Sequence, residues 1–432
     1  MTLSHPLNRQ TVEDLRARCA DEPDDIENWL TLGRRLVDLE RYEEAEEALG
    51  KIFEEGRFFS FKKGRPRLRF KSLFGFFKNK LLFARAYSDM AMISLHQGNM
   101  AEAERRLILA MTEFEKAGED EEYARAANRL GMVYRLAGAF ESAEEMHGRA
   151  KDIAKKRNMP RLMAETLGNL GMVYEGKDRF EAALEHHLAA LEIYTTLPEC
   201  AFEAACVKRQ TGLACLRAGD PDRAEAYLFK ALKDFERAGS FVFQSRLYND
   251  LALLAQIKGD MDAAVETARR AVAAADRAED GNEKADNRVL LACIEMECGK
   301  QDDALEPMLK QAIRHYRAAD LKAQLANACS TLGLFHLRRG EWKKADSLFR
   351  DSLHQEEILH RTFGMASDWG NLGLIARKTG DDVKAAEYWS KAAALFEQGG
   401  NTEMAEKFKS LCRDVQSGSS NNSSSGMTGV SS

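Results

Sequence analysis

Large and small apolar residues along this chain fall into one pattern that recurs nine times. A small residue stands seven positions before a turn, and an alanine stands five positions after it. The alanines are Ala45, Ala103, Ala143, Ala183, Ala224, Ala264, Ala304, Ala345 and Ala385, and from the second onward they lie 40 or 41 residues apart. The small residues before the turns are Gly33, Ala91, Gly131, Gly171, Gly212, Ala252, Ala292, Gly333 and Gly373. A large residue usually precedes them, as in Leu130, Leu170, Leu251, Leu291, Leu332 and Leu372. Small side chains at a fixed period mark places where two helices must approach closely, because a bulky side chain would hold them apart. A period of this length predicts a stack of helix pairs, each burying its apolar face against its neighbours. The pattern therefore predicts a binding scaffold and is silent on what is bound.

Turn residues divide the chain accordingly. First turns, inside each repeat, are expected at Glu40, Gly98, Gly138, Asp178, Gly219, Gly259, Gly299, Gly340 and Gly380. Second turns, joining one repeat to the next, are expected at Gly118, Asn158, Pro198, Gly239, Gly281, Asp320 and the pair Gly399 and Gly400. Each repeat then holds two helices of roughly 15 to 18 residues. Pro160 and Pro221 fall near helix starts, where a missing N–H costs little. Pro307 falls inside a second helix and should kink or shorten it.

Residues 1–23 read as a polar lead in which Thr11 to Ala20 suits a helix, and residues 24–56 as repeat one. Residues 57–80 are an insertion, and residues 81–400 hold repeats two to nine. Thr402 to Gln416, within residues 401–416, reads as a closing helix that caps the last apolar face. Residues 417–432 are Ser- and Gly-rich with nothing to build a core, and are expected to be disordered.

The phrases Leu130-Gly-Met-Val-Tyr134 and Leu170-Gly-Met-Val-Tyr174, and Trp29, Leu32, Gly33, Tyr42 and Ala45 of the first unit, resemble the tetratricopeptide repeat. The resemblance covers about residues 24 to 400 and implies an all-α superhelical solenoid of about nine helix-turn-helix repeats. The lengthened period, with Gly168-Asn-Leu-Gly171 and Gly370-Asn-Leu-Gly373, is similar to the branch that includes kinesin light chains and Pins-type regulators. In such a superhelix the first helix of each pair lines a concave groove that receives a peptide or helix of a partner protein. Register with the repeat places Arg85, Arg125, Asn128, Arg129, Asn169, Arg209, Arg246, Asn249, Asn327 and Asn371 on that groove. Asn offers a peptide backbone both a donor and an acceptor, and Arg clamps carboxylates in pairs, so the row suits an acidic segment. Glu165, Asp250 and Asp286 dilute its positive field, and these positions also suit ordinary solvated helix faces.

No Gly-rich phosphate loop follows a strand, and neither H-E-x-x-H nor a nucleophile elbow occurs, so no catalytic residue, metal ligand, cofactor or small-molecule substrate is expected. His147 and His187 occupy equivalent places one repeat apart, where other repeats have Leu107 and Leu228, which points to packing. The eight cysteines are dispersed without a C-x-x-C pair and read as small buried hydrophobes of a reducing compartment. With no membrane-length apolar run and no secretory pattern at its start, the protein is expected to be cytoplasmic.

Charge changes the picture at the insertion. Residues 57–80 hold nine Lys or Arg, seven Phe and no acid, in a chain of net −6, so the remainder carries −15. The candidate contact residues are Phe58, Phe59, Phe61, Lys62, Lys63, Arg65, Arg67 and Arg69, then Phe70, Lys71, Phe74, Phe76, Phe77, Lys78 and Lys80. Cations draw such a segment to anionic head groups at about 1 kcal/mol each, and rings enter the acyl boundary. The segment is similar in composition to the effector segment of MARCKS proteins. That resemblance implies binding to acidic lipid, with Ser60 and Ser72 as phosphorylation switches. Two other readings stay open: Leu73, Phe74, Phe76 and Phe77 packing under the first repeats, or rings stacking on a nucleic acid, which the negative remainder opposes.

Overall fold

The computed structural model describes residues 11–23, 25–55, 59–62, 65–68, 73–278, 280–299 and 302–416. The fold is all-α, built of antiparallel helix pairs. Contacts group the chain into two units, Met1–Asp234 and Phe235–Ser432.

In unit 1 a single helix α1 (Val12–Asp21) precedes four complete pairs: α2 (Ile26–Asp38) with α3 (Tyr42–Glu55), α4 (Leu73–His96) with α5 (Met100–Ala117), α6 (Asp120–Leu136) with α7 (Phe140–Lys156), and α8 (Pro160–Gly176) with α9 (Phe180–Thr195). Then come α10 (Ala201–Arg217) and α11 (Pro221–Arg237), the unit boundary falling within α11. Thr11 starts α1 with a capping box closed by Asp14.

Unit 2 holds α12 (Phe241–Ile257), α13 (Met261–Ala278), α14 (Gly281–Glu297), α15 (Leu305–Ala318), α16 (Lys322–Arg338), α17 (Trp342–Ile358), α18 (Thr362–Lys378) and α19 (Asp382–Gln398). The closing helix α20 (Thr402–Gln416) packs on α19, with Phe408 stacked on Phe396 at 5.6 Å between ring centres.

All nine expected first turns carry a residue in the left-handed region, where glycine is favoured: seven glycines, from Gly98 to Gly380, with Glu40 and Asp178. Second turns follow the expectation at Gly118, Asn158, Gly239, Asp320 and Gly400, and Pro198 opens a 3-10 turn. Two differ. Asp280, not Gly281, breaks the chain before α14: its carboxylate accepts from the N–H groups of Asn282 and Glu283, so Gly281 is already helical. The turn between α17 and α18 is made by His360, at φ 54°, which no Gly or Pro announces.

Pro160 and Pro221 begin α8 and α11. Pro307 shortens its helix: α15 spans 14 residues where α13 spans 18 and α17 spans 17, and the proline stands in its first turn, where no amide hydrogen is needed.

The insertion departs from helix. β1 (Phe59–Lys62) and β2 (Arg65–Leu68) form an antiparallel hairpin, and α4 begins at Leu73, so the last eight positions of residues 57–80 belong to that helix.

Candidate functional site

Within each unit, first helices of successive pairs touch one another: α2 with α4, α4 with α6 and α6 with α8, then α12 with α14 and α14 with α16. No comparable contact joins successive second helices among the described residues. First helices therefore crowd the inner side of each stack, and polar side chains between them must find partners there.

In unit 1 those partners come from neighbouring first helices, in three separate sets. Asp89 on α4 accepts from Arg34 Nε on α2 at 2.6 Å and from Arg129 Nη1 on α6 at 2.8 Å. Burial alone would raise the Asp89 carboxyl, but the charges of Arg129 and Arg34 overcome it and hold the group below its ordinary range. Arg129 also donates to Ser88, and Arg85 pairs with Glu122 at 3.0 Å. One repeat on, Asn128 Nδ2 donates to Glu165 at 2.8 Å, while its Oδ1 accepts from Asn169 at 3.1 Å and lies 2.8 Å from His147 Nδ1. With an amide oxygen as partner, Nδ1 of His147 must carry the proton. Burial, reinforced by the charge of Arg135, lowers this imidazole to about 4.

The expected groove residues are thus of two kinds. Asn128, Asn169 and Asn371 are buried and do not face a partner, which corrects their assignment to the groove surface. The cause is the crowding of neighbouring first helices, which closes over the short amide side chains. Arg85, Arg129 and Arg209 are half-buried and engaged within the chain, and Arg246 on α12 is exposed but bound to Glu283 of α14 at 2.6 Å. Arg125 is exposed. Asn249 and Asn327 are half-buried, each with an Oδ1 that is buried and has no hydrogen-bond partner.

Asn327 lines a cavity of about 330 Å³ between α14 and α16 in unit 2. Its walls include Asp286 and Cys293 from α14, Thr331 and Arg338 from α16, and Tyr316 from α15. Tyr316 donates to Asp286 at 2.6 Å, and burial and that hydrogen bond both hold its proton on. Cys293 lies 3.6 Å from the Thr331 hydroxyl, its thiol raised by burial. Arg338 donates to the Met296 carbonyl. The result is a slot with both apolar walls and fixed polar groups, of a size that holds one or two side chains. Sequence register found Asn327 but not Tyr316, which comes from a second helix.

Of the insertion residues, Phe58, Lys63, Arg69, Phe70, Lys71 and Ser72 lie outside the described residues. The hairpin pairs Phe59 with Leu68, Ser60 with Arg67, Phe61 with Pro66 and Lys62 with Arg65. In that register Phe59, Phe61, Pro66 and Leu68 occupy one set of alternate strand positions, and Ser60, Lys62, Arg65 and Arg67 the other. Leu73, Phe74, Phe76, Phe77 and Lys78 lie on the first turns of α4. Lys80, half-buried, pairs with Glu113 at 3.8 Å.

His147 and His187 are fully buried, and they reach different partners, Asn128 and Glu175. Among the described residues no cluster of His, Cys, Asp or Glu could hold a metal ion, and no helix is long and apolar enough to cross a membrane.

A tetratricopeptide-repeat model matches residues 82–156 and 162–237, and a second model of the same description matches residues 245–276. No curated protein matches this chain in sequence. Among solved structures the chain is similar to the apo form of the quorum sensor NprR from B. thuringiensis, at 13% identity and a TM-score of 0.52, covering 92% of this chain and 99% of that one. It is similar to a signal-transduction ATPase with numerous domains and a tetratricopeptide-repeat sensor from Pyrococcus horikoshii, at 13% identity and a TM-score of 0.54, covering 85% of this chain and 58% of that one. The apo form of RapI is similar over 64% of this chain and 99% of its own, at 16% identity and a TM-score of 0.49. At such identities the likeness to the first two is one of fold. The matched segments and the helix pairs agree: this chain carries tetratricopeptide repeats.

Proposed function

We propose that the chain is a non-catalytic scaffold that receives a segment of a partner protein along the inner face of its first helices. The observation that supports it best is the slot between α14 and α16, with the buried, unpartnered Oδ1 of Asn327 at its wall. A buried amide oxygen left without a donor costs about 1–3 kcal/mol, which an N–H of a bound backbone would recover. In unit 1 the exposed guanidinium of Arg125, whose charge also reaches Glu165, is the one best placed to meet a carboxylate, since Arg34, Arg85 and Arg129 are held in ion pairs by acids of the chain. The ligand is therefore held by shape and amide hydrogen bonds more than by net charge. Rigid repeats lose little entropy when many weak contacts form at once.

The experiment is selection of a displayed peptide library on the full chain, followed by calorimetry of the selected peptides with Asn327→Leu and Arg125→Glu. A peptide held in the slot of unit 2 should lose about tenfold in affinity with Asn327→Leu, and one held on unit 1 about tenfold with Arg125→Glu, about 1.4 kcal/mol in each case. Undiminished binding to both removes the inner face from the proposal.

A second reading concerns localisation. An apolar set of positions, Phe59, Phe61, Pro66 and Leu68, alternating with a set that includes Lys62, Arg65 and Arg67 suits peripheral contact with anionic lipid, and supports reading the hairpin as a membrane-surface element. Liposome sedimentation beside a salt titration with single-stranded DNA separates lipid from nucleic acid.

A further inference from the structure

We propose that unit 2 carries a second docking site, on its outer side between α15 and α17, for an acidic partner segment that also bears apolar side chains. A cavity of about 700 Å³ runs there, floored by Leu332 and His336 of α16. Ile313 and Leu332 are buried beneath it and Leu348 is half-buried along its edge, so the floor is apolar. His336 takes part as structure: it is buried, with Nδ1 2.9 Å from Glu341, and burial lowers its pKa, so it adds no dependable charge.

The rim is basic. Lys310, Arg314 and Arg317 line it from α15, and Lys343 and Lys344 from α17. Three have acidic partners: Lys310 with Glu306 at 2.7 Å, Lys344 with Glu341 at 2.6 Å, and Arg317 with Asp351 at a loose 3.6 Å. Arg314 and Lys343, one on each bank and both exposed, have no carboxylate partner among the described residues. Arg314 Nε donates only to the Lys310 carbonyl at a long 3.4 Å, and two cations without a carboxylate partner on opposite banks of an apolar trough, in a chain of net −6, are a local reversal of charge. Complementary charge at a rim steers association and excludes wrong partners, while the apolar floor supplies the contact area.

Dimensions select the class of occupant. From Glu306 to Arg317 the α15 bank runs about three helical turns, or about 16 Å, too long for a single phosphate or carboxylate and suited to a short peptide. The site stands apart from the inner-face slot, since its banks are second helices and that slot is walled chiefly by α14 and α16.

The test uses the full chain and three fluorescein-labelled peptides of roughly four helical turns: one with leucine and glutamate on helical spacing, one with lysine replacing glutamate, and one with serine replacing leucine. The expected result is saturable binding of the leucine–glutamate peptide, weakened about tenfold or more in the exposed double variant Arg314→Glu and Lys343→Glu and unchanged in the inner-face variant Arg125→Glu. Equal binding of the lysine peptide, or undiminished binding by the double variant, overturns the site. Equal binding of the serine peptide reduces it to general attraction of a polyanion and overturns it as well. Sedimentation velocity supplies the last arm: self-association abolished by the double variant, with the peptides inert, assigns the trough to a second copy of this chain and overturns the partner segment.

Discussion

Gly131 lies under the imidazole of His147, sixteen residues further on, so closely that a Cβ added to the glycine would stand 2.6 Å from the ring Cε1. The same spacing sets Gly212 against Leu228 at 2.8 Å and Gly333 against Phe349 at 2.9 Å, and Gly33, Gly171 and Gly373 against Leu49, His187 and Trp389. Each of these repeats therefore joins its two helices by one hole and one knob. Because the ring of His147 is fully buried, it has nowhere to retreat. Gly131→Ala is expected to destabilise by about 1–3 kcal/mol through overpacking. His147→Ala alone also destabilises, by leaving a cavity, but the double variant loses less than the two together, with a coupling of about 0.5–3 kcal/mol. Urea unfolding followed by helical circular dichroism gives the three differences. Strict additivity would mean that the two residues do not meet.

That relationship also marks where reading the chain stops. The period of Gly and Ala, the nine first turns and the closing helix were legible because each uses the same few residue types for one backbone reason. The knob was legible only in part: His147, His187 and Leu228 stand at equivalent packing positions, but Leu49, Phe349 and Trp389 fill the same place, so no recurring letter announces that it covers the glycine. The small residues mark a close approach of two helices, as expected, and at the glycines they make room for a large side chain one turn beyond the alanine. The inner face departs from the expectation for a related reason. A repeat tells which residues are equivalent but not how closely neighbouring first helices sit, so Asn128 and Asn169 look presented in sequence and are buried in the fold. Likewise Asp89 gave no signal, because its partners Arg34 and Arg129 come from the repeats before and after it.

Asp89 is the next test. Replacing it by Asn leaves Arg34 and Arg129 partly desolvated and facing each other with no intervening charge. Breaking a buried pair in this way costs about 3–5 kcal/mol, the lower figure applying here because both arginines retain access to water. Its folded pKa is depressed, so its stabilisation is present above the unfolded carboxylate range and is lost as pH falls through the folded value. The gap between wild type and Asp89→Asn should therefore be wide at pH 7 and narrow in strong acid. A gap that does not change with pH would show that the charge is immaterial.

Asp368 on α18 behaves in the opposite sense. Its side chain and that of Glu356 on α17 are both fully buried, Ser330 donates to it at 3.3 Å, and one of its oxygens has no hydrogen-bond partner. Burial, with the neighbouring charge of Glu356, pushes its carboxyl up to about 7. An acid whose folded pKa is raised binds its proton more tightly when folded, so stability is greatest below the unfolded value and falls as pH rises from about 4 to about 7. Asp368→Asn keeps the shape and removes the titration. The variant should melt close to wild type at pH 4 and several degrees above it at pH 8, by scanning calorimetry. A variant less stable than wild type at pH 8 would mean that the ionised carboxylate is satisfied after all.

The hairpin prediction separates its two sets of positions. Phe59→Ser with Phe61→Ser removes rings from the apolar set and leaves every cation in place, while Lys62→Ser with Arg67→Ser does the reverse. If the element lies at an anionic bilayer, both variants weaken sedimentation with phosphatidylserine vesicles, but only the first leaves the salt dependence unchanged. Single-stranded DNA would be lost with the second variant and would also weaken with the first if the rings stack on bases. Vesicle binding unaffected by either pair would place the source of attraction outside the hairpin.

Asn327→Leu distinguishes a binding residue from a structural one. An amide that serves the fold is satisfied within it, and its replacement destabilises; Asn128, with partners on Glu165, Asn169 and His147, is of that kind. The side-chain Oδ1 of Asn327 is buried with no partner, so a leucine of similar volume removes an unmet polar group from the wall of the slot. Melting temperature should hold steady or rise, by an amount corresponding to about 1 kcal/mol, while affinity for inner-face peptides falls about tenfold. Stability and binding then move in opposite directions in one variant, which neither global unfolding nor a purely structural role can produce. A fall in both would return Asn327 to the interior with Asn128.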